Sequence, residues 1–127
     1  MIERLSPPGV PVPRGPYSPA VKAGGFVYVS GQVPIDTATN QVSLGDIKHE
    51  TRLVLNNTKK ILEGAGATLS QVIKCTVYLA DAADFHAMNE VYAEFFGVDK
   101  PARTTVVCKF AMPELKVEID CIAYLGG

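Results

Sequence analysis

Arg103 and Glu118 are the two residues of this 127-residue chain whose type and setting invite chemistry. Arg103 follows Lys100-Pro101-Ala102 and precedes Thr104-Thr105-Val106-Val107, so a proline-stiffened entry leads into a strand rich in β-branched residues. A guanidinium at the mouth of a strand, on an already restricted backbone, can present its planar fork to a carboxylate. A surface ion pair is the competing use of such an arginine, and local sequence leaves both open. Glu118 falls on the polar-containing side of the last strand, either as a partly buried base or as a partner for an arginine. The arithmetic of the terminal strands does not set Arg103 directly opposite Glu118.

Other residue types narrow the chemistry by their spacing. His49 and His86 stand alone in helical segments, neither at metal-ligand spacing with a cysteine or a second histidine, so they read as solvated side chains. That leaves no histidine triad and no metal set. Gly64-Ala65-Gly66 lacks the Lys-Ser/Thr of a phosphate loop and reads as a helix end. None of the five serines lies in a G-x-S-x-G elbow. Cys75, Cys108 and Cys121 each sit in an apolar run, the pattern of reduced, buried thiols.

Composition sets the frame. With 47% hydrophobic and 20% charged residues the chain has an ordinary globular make-up, and its length suits a single domain, 1–127. Twelve Lys+Arg against thirteen Asp+Glu leave a net charge of −1, which disfavours a protein that lives by gripping phosphate backbones. No apolar run approaches a membrane span of about 18 residues, so no membrane partner is expected. Met1 to Pro8 carry neither a secretory core nor a transit helix. Together with the reduced thiols this predicts a cytoplasmic location, with a mitochondrial one as the alternative.

The elements that would position these residues can be read from periodicity. Six of the nine prolines lie between Pro7 and Pro19, which must be an extended surface loop. Ala20 to Ala23, Gly24-Gly25 and Phe26 to Ser30 read as a hairpin. A helix starts near Asp46, with Ile47, Thr51, Val54, Leu55, Thr58, Ile61 and Leu62 as its buried stripe and Ser43 or Asp46 as cap. Gln71 to Ala80 alternates as a strand. Asp81 caps a second helix with the stripe Phe85, Met88, Val91, Tyr92 and Phe95, ending at Gly97. Thr104 to Phe110 and Leu115 to Leu125 are the closing strands. The order ββαβαββ predicts an α+β fold, a mixed sheet with both helices on one face. On the other face Tyr28, Val72, Tyr78, Ile122 and Tyr124 alternate with Thr76, Lys116, Glu118 and Asp120, a mixture that suits a subunit interface.

Five segments in order, Gly15-Pro16-Tyr17-Ser18-Pro19-Ala20, Val29-Ser30-Gly31-Gln32-Val33-Pro34, Met88-Asn89-Glu90-Val91-Tyr92, Pro101-Ala102-Arg103-Thr104-Thr105-Val106 and Val117-Glu118-Ile119, resemble the RidA/YjgF family of 2-iminobutanoate/2-iminopropanoate deaminases. The resemblance runs from Leu5 to Tyr124. It implies a chorismate-mutase-like fold and a homotrimer with sites in clefts between subunits. It also implies hydrolysis of short 2-imino acids to 2-keto acids and ammonia, without cofactor or metal. Carried over by position, Arg103 matches the arginine that holds the substrate carboxylate, and Glu118 the acidic residue near the reacting water. Tyr17, Ser30, Gly31 and Asn89 match residues lining the cleft. Many members have cysteine where this chain has Thr105, a position the family uses largely through its backbone carbonyl. Two other expectations come with the resemblance: an endoribonuclease or translation inhibitor, and a non-catalytic carboxylate binder or chaperone-like trimer.

Overall fold

Alternating buried and half-exposed residues build a six-stranded sheet in the computed structural model, in the spatial order Glu3–Leu5, Ala20–Ala23, Phe26–Gln32, Val117–Tyr124, Val72–Leu79 and Ala102–Val107. The structure describes residues 1–126; Gly127, the last residue of the expected 1–127 domain, lies outside the described residues. The strands are β1 (Glu3–Leu5), β2 (Ala20–Ala23), β3 (Phe26–Gln32), β6 (Val72–Leu79), β7 (Ala102–Val107) and β8 (Val117–Tyr124). A two-stranded ribbon, β4 (Ile35–Asp36) with β5 (Gln41–Val42), leads into helix α1 (Ile47–Gly64). Helix α2 (Phe85–Phe96) connects β6 to β7. That pair is the sheet's parallel one, and a parallel neighbour needs such a crossover.

The predicted hairpin forms, with Gly24 and Gly25 at φ +57° and +83°, the left-handed values that its tight turn requires. Asp46 caps α1 by accepting from the His49 N–H at 2.8 Å. All seven residues of the predicted α1 stripe are buried. Its apolar members pack with Met88, Val91, Tyr92 and Phe96 of α2 onto Val27, Val29, Cys75, Val77, Ile119 and Cys121 of the sheet. Phe96 stands in that core where the predicted α2 stripe had Phe95, and Phe85 of the stripe is exposed. The helices thus cover one face, as the patterning predicts.

Several local readings are corrected. Val72 is 4% exposed and Ile73 45%, the reverse of simple alternation, because a register shift between Val72 and Lys74 flips the start of β6. Val72 therefore belongs to the core, not to the open face. The strand expected to reach Phe110 stops at Val107, since its partner β6 ends at Leu79; Cys108 lies beyond it and is half-exposed instead of buried. Asp81 caps a single 3₁₀ turn, Ala82–Asp84, ahead of α2. β1 and the β4–β5 ribbon lack any strong periodic signal because each is three residues or shorter.

Candidate functional site

The bulge in β3 builds the first part of the site. Val29 pairs with Cys121 and Gln32 with Ile119, so Ser30 and Gly31 together oppose the single residue Asp120. The extra residue turns this stretch toward β8. A Cβ on Gly31 would collide with the Glu118 carboxylate, so glycine is what lets that carboxylate lie against the backbone. Glu118 stands on the sheet face away from the helices, directly opposite Tyr78. It lines a cavity of about 380 Å³ with Arg14, Tyr17, Ser30, Gly31, Val33, Phe110, Met112 and Leu115. Burial among these walls, and then the charge of Asp120, push the Glu118 carboxyl above its ordinary value. Asp120 is itself held by the Tyr78 hydroxyl, which donates to it at 3.0 Å.

Two hydroxyls here have defined roles. Ser30 Oγ donates to the Ser18 carbonyl at 2.6 Å, so it faces the cavity as an acceptor. The Tyr17 hydroxyl accepts from the Arg14 backbone N–H at 3.2 Å, which leaves its own proton free to donate. Arg14 is fixed by a 2.6 Å bond from Nη2 to the Asn40 carbonyl.

Arg103 lies on the opposite side of the sheet. It sits on the edge strand β7, beside the core residue Cys75, and faces helix α2. Its Cζ is 4.8 Å from the Tyr92 ring centroid and 5.6 Å from that of Phe85. It borders a cavity of about 280 Å³ lined also by Asn89, Tyr92, Phe96, Lys100 and Pro101. Ion pairs among the described residues join Lys48 to Glu90, Arg52 to Glu94 and Lys116 to Glu50. Arg103 is in none of them, so the surface-pair reading finds no support among the described residues. Asn89 Oδ1, the Tyr92 hydroxyl and Thr105 Oγ1 are buried without a hydrogen-bond partner among the described residues. The Tyr92 hydroxyl meets the Cys75 thiol, a poor partner; burial raises Tyr92 far above its ordinary value and lifts Cys75 to about 11. Thiols so protonated make weak nucleophiles.

Within one chain the predicted residues therefore fall at three places. Tyr17, Ser30, Gly31 and Glu118 share one cavity, and Asn89 and Arg103 share another with no residue in common. Thr105 lines a third hollow of about 320 Å³ beside Phe85. Arg14, Phe110, Met112, Leu115 and Tyr92 were not among the sequence-derived site residues. Arg14 adjoins the Gly15-Pro16-Tyr17 segment, a usable signal, whereas Tyr92 matches an ordinary core stripe.

The family model described as Endoribonuclease L-PSP matches residues 9–125. The chain belongs to this family, the YjgF/RidA family. A RutC family protein of Pyrococcus horikoshii is 52% identical over 124 residues, covering 98% of each chain. RidA from the Antarctic bacterium Psychrobacter sp. superposes with a TM-score of 0.90 at 36% identity, covering 96% of this chain and 98% of that one. E. coli TdcF, solved with bound serine, gives 0.90 at 33% identity over 98% and 99%. The YjgF/RidA fold of two helices on a mixed sheet is thus the fold of this chain. Among the described residues no group of three or more His, Cys, Asp and Glu could hold a metal ion, and no helix is long and apolar enough to cross a membrane.

Proposed function

We propose that the protein is a hydrolytic deaminase of short 2-imino acids, 2-iminobutanoate and 2-iminopropanoate, releasing 2-keto acid and ammonia. The observation that carries this reading is a guanidinium without a carboxylate partner among the described residues, bordering a cavity. Arg103 binds the substrate carboxylate through its fork and fixes the imine carbon. Glu118 accepts a proton from water as the oxygen attacks that carbon. A new C–O bond forms and the C=N electron pair moves to nitrogen. With the imine protonated at the outset, Glu118 returns its proton to the nitrogen of the resulting carbinolamine, and as the C–N bond breaks to release ammonia the carbinolamine hydroxyl gives its own proton to Glu118 and becomes the keto oxygen. Ser30 Oγ offers lone pairs to the nitrogen's protons, and Tyr17 a donor to the developing oxygen.

Because Arg103 and Glu118 lie on opposite faces of one sheet, this chemistry joins the Arg103 side of one copy to the Glu118 side of the next. We therefore propose a homotrimer with its sites between subunits. The open sheet face supports association: Tyr28 and Tyr124 remain 45% and 42% exposed, with Phe26 packed against both. The family's endoribonuclease description is the rival reading. It finds less support in a −1 charge and in His49, whose ring bonds Ser43 Oγ at 2.9 Å on an exposed surface.

The test is ammonia release from freshly generated 2-iminobutanoate. The wild type accelerates it, and Arg103→Ala lowers kcat/KM about 30-fold to 1,000-fold, the effect of losing one partner of a desolvated charge pair. An alanine variant as fast as the wild type overturns the role of Arg103. RNA cleavage that survives repeated purification and disappears in Arg103→Ala favours the ribonuclease instead.

A further inference from the structure

We propose that Phe85 and Tyr92 form an aromatic seat that aims the Arg103 guanidinium, making them positioning residues for carboxylate capture. This rests on the reading of Arg103 as the carboxylate anchor. An arginine side chain carries four rotatable bonds and much rotamer entropy, so a fork that must meet a small acid needs something to hold it. No carboxylate among the described residues pairs with it. Two rings of α2 do the holding instead.

Phe85 and Tyr92 are seven residues apart, two turns of one helix, and so lie on the same side of α2. Both ring centroids fall within the 6 Å range at which a guanidinium is attracted to an aromatic face. The rings have contacts of their own. Tyr92 is 7% exposed and its ring packs on Phe96 at 4.6 Å, while Phe85 makes an edge contact with His86 at 5.5 Å. An aromatic platform orients the cation without occupying its N–H groups, which leaves the fork free for a ligand. A carboxylate in place of either ring would neutralise the guanidinium and compete with the substrate.

The Tyr92 hydroxyl adds nothing to this role, since it points to no good partner. The seat therefore predicts that the ring face matters and the hydroxyl does not. Asn89, on the same stripe between the two rings, lines the cavity that Arg103 also borders.

Three variants test the seat by steady-state kinetics on 2-iminobutanoate and by calorimetric binding of 2-oxobutanoate. Phe85→Leu and Tyr92→Leu raise KM and Kd about 3-fold to 30-fold while kcat changes less than about threefold. Tyr92→Phe stays within about twofold of the wild type. Phe85 is 37% exposed, so Phe85→Leu keeps the test valid if Tyr92→Leu fails to fold. A Tyr92→Phe variant as impaired as Tyr92→Leu overturns the proposal, as does a loss confined to kcat. Wild-type protein that neither turns over the imine nor binds 2-oxobutanoate defeats the functional reading alone. The seat is then judged by the side-chain proton resonances of Arg103: shifted upfield by ring currents in the wild type and relaxed in both leucine variants if it exists, unshifted in the wild type if it does not.

Discussion

At the scale of single residues, Glu118 carries the most informative electrostatics. Its carboxyl is raised above the ordinary 4.5 by burial first and by Asp120 second. The proposed base must be ionised to act, so the acid limb of kcat/KM is expected above the usual carboxylate range. Asp120→Asn removes the second cause and moves that limb to lower pH, though not to 4.5, because burial remains. A pH–rate profile that does not move, or moves upward, refutes Asp120 as the neighbour that matters. The stability consequence has the opposite sense to that of a salt-bridged acid. The native state holds the Glu118 proton more tightly than the unfolded chain, so this contribution is present below 4.5 and is lost as pH climbs toward the raised value. Glu118→Gln is therefore expected to raise the melting temperature at neutral pH, measurable by thermal unfolding at pH 4 and pH 7, while the proposed base role predicts that it abolishes turnover.

At the scale of elements, the entry to β8 depends on one buried acid. Glu50 on α1 is fully buried; it accepts from the Lys116 N–H at 2.9 Å and the Gly45 N–H at 3.2 Å, with Lys116 Nζ at 3.5 Å. This clamp ties the helix to the residue just after Leu115, which forms a wall of the Glu118 cavity. Glu50→Ala strands two backbone donors, while the 40% exposed Lys116 side chain is left to water, and is expected to cost about 2–4 kcal/mol in urea unfolding. Glu50→Gln keeps one acceptor and falls between. A loss under about 1 kcal/mol for the alanine variant would mean that water replaces the clamp without cost.

At the scale of the whole molecule, the separation of Arg103 from Glu118 within one chain makes a prediction that no single variant can. Arg103→Ala and Glu118→Gln proteins, each inactive alone, are unfolded together and refolded at equal ratio. If each site takes its arginine from one copy and its acid from the next, about a quarter of the sites in random mixtures recover both wild-type groups. Activity near a quarter of the wild type, in a species of three times 13.6 kDa, supports the shared site. No recovery in correctly assembled mixed oligomers shows that each chain acts alone.

The sequence by itself determined the layout. The α1 stripe, the Gly24-Gly25 hairpin and the alternation of β8 follow from local periodicity, which each segment carries in its own residues. It also pointed to Arg103, through the rigid proline entry, and to Glu118, through its place among polar residues on the open face. What only the tertiary structure decided was which groups meet. A bulge in β3, the flip at Val72, the early end of β7 and the arrival of Phe85 and Tyr92 beneath Arg103 all depend on partners distant in sequence. Tyr92 has the sequence signature of a core residue whether it packs on aliphatic neighbours or beneath a cation. That difference is a matter of distance in space, to which a one-dimensional pattern of hydrophobicity is blind.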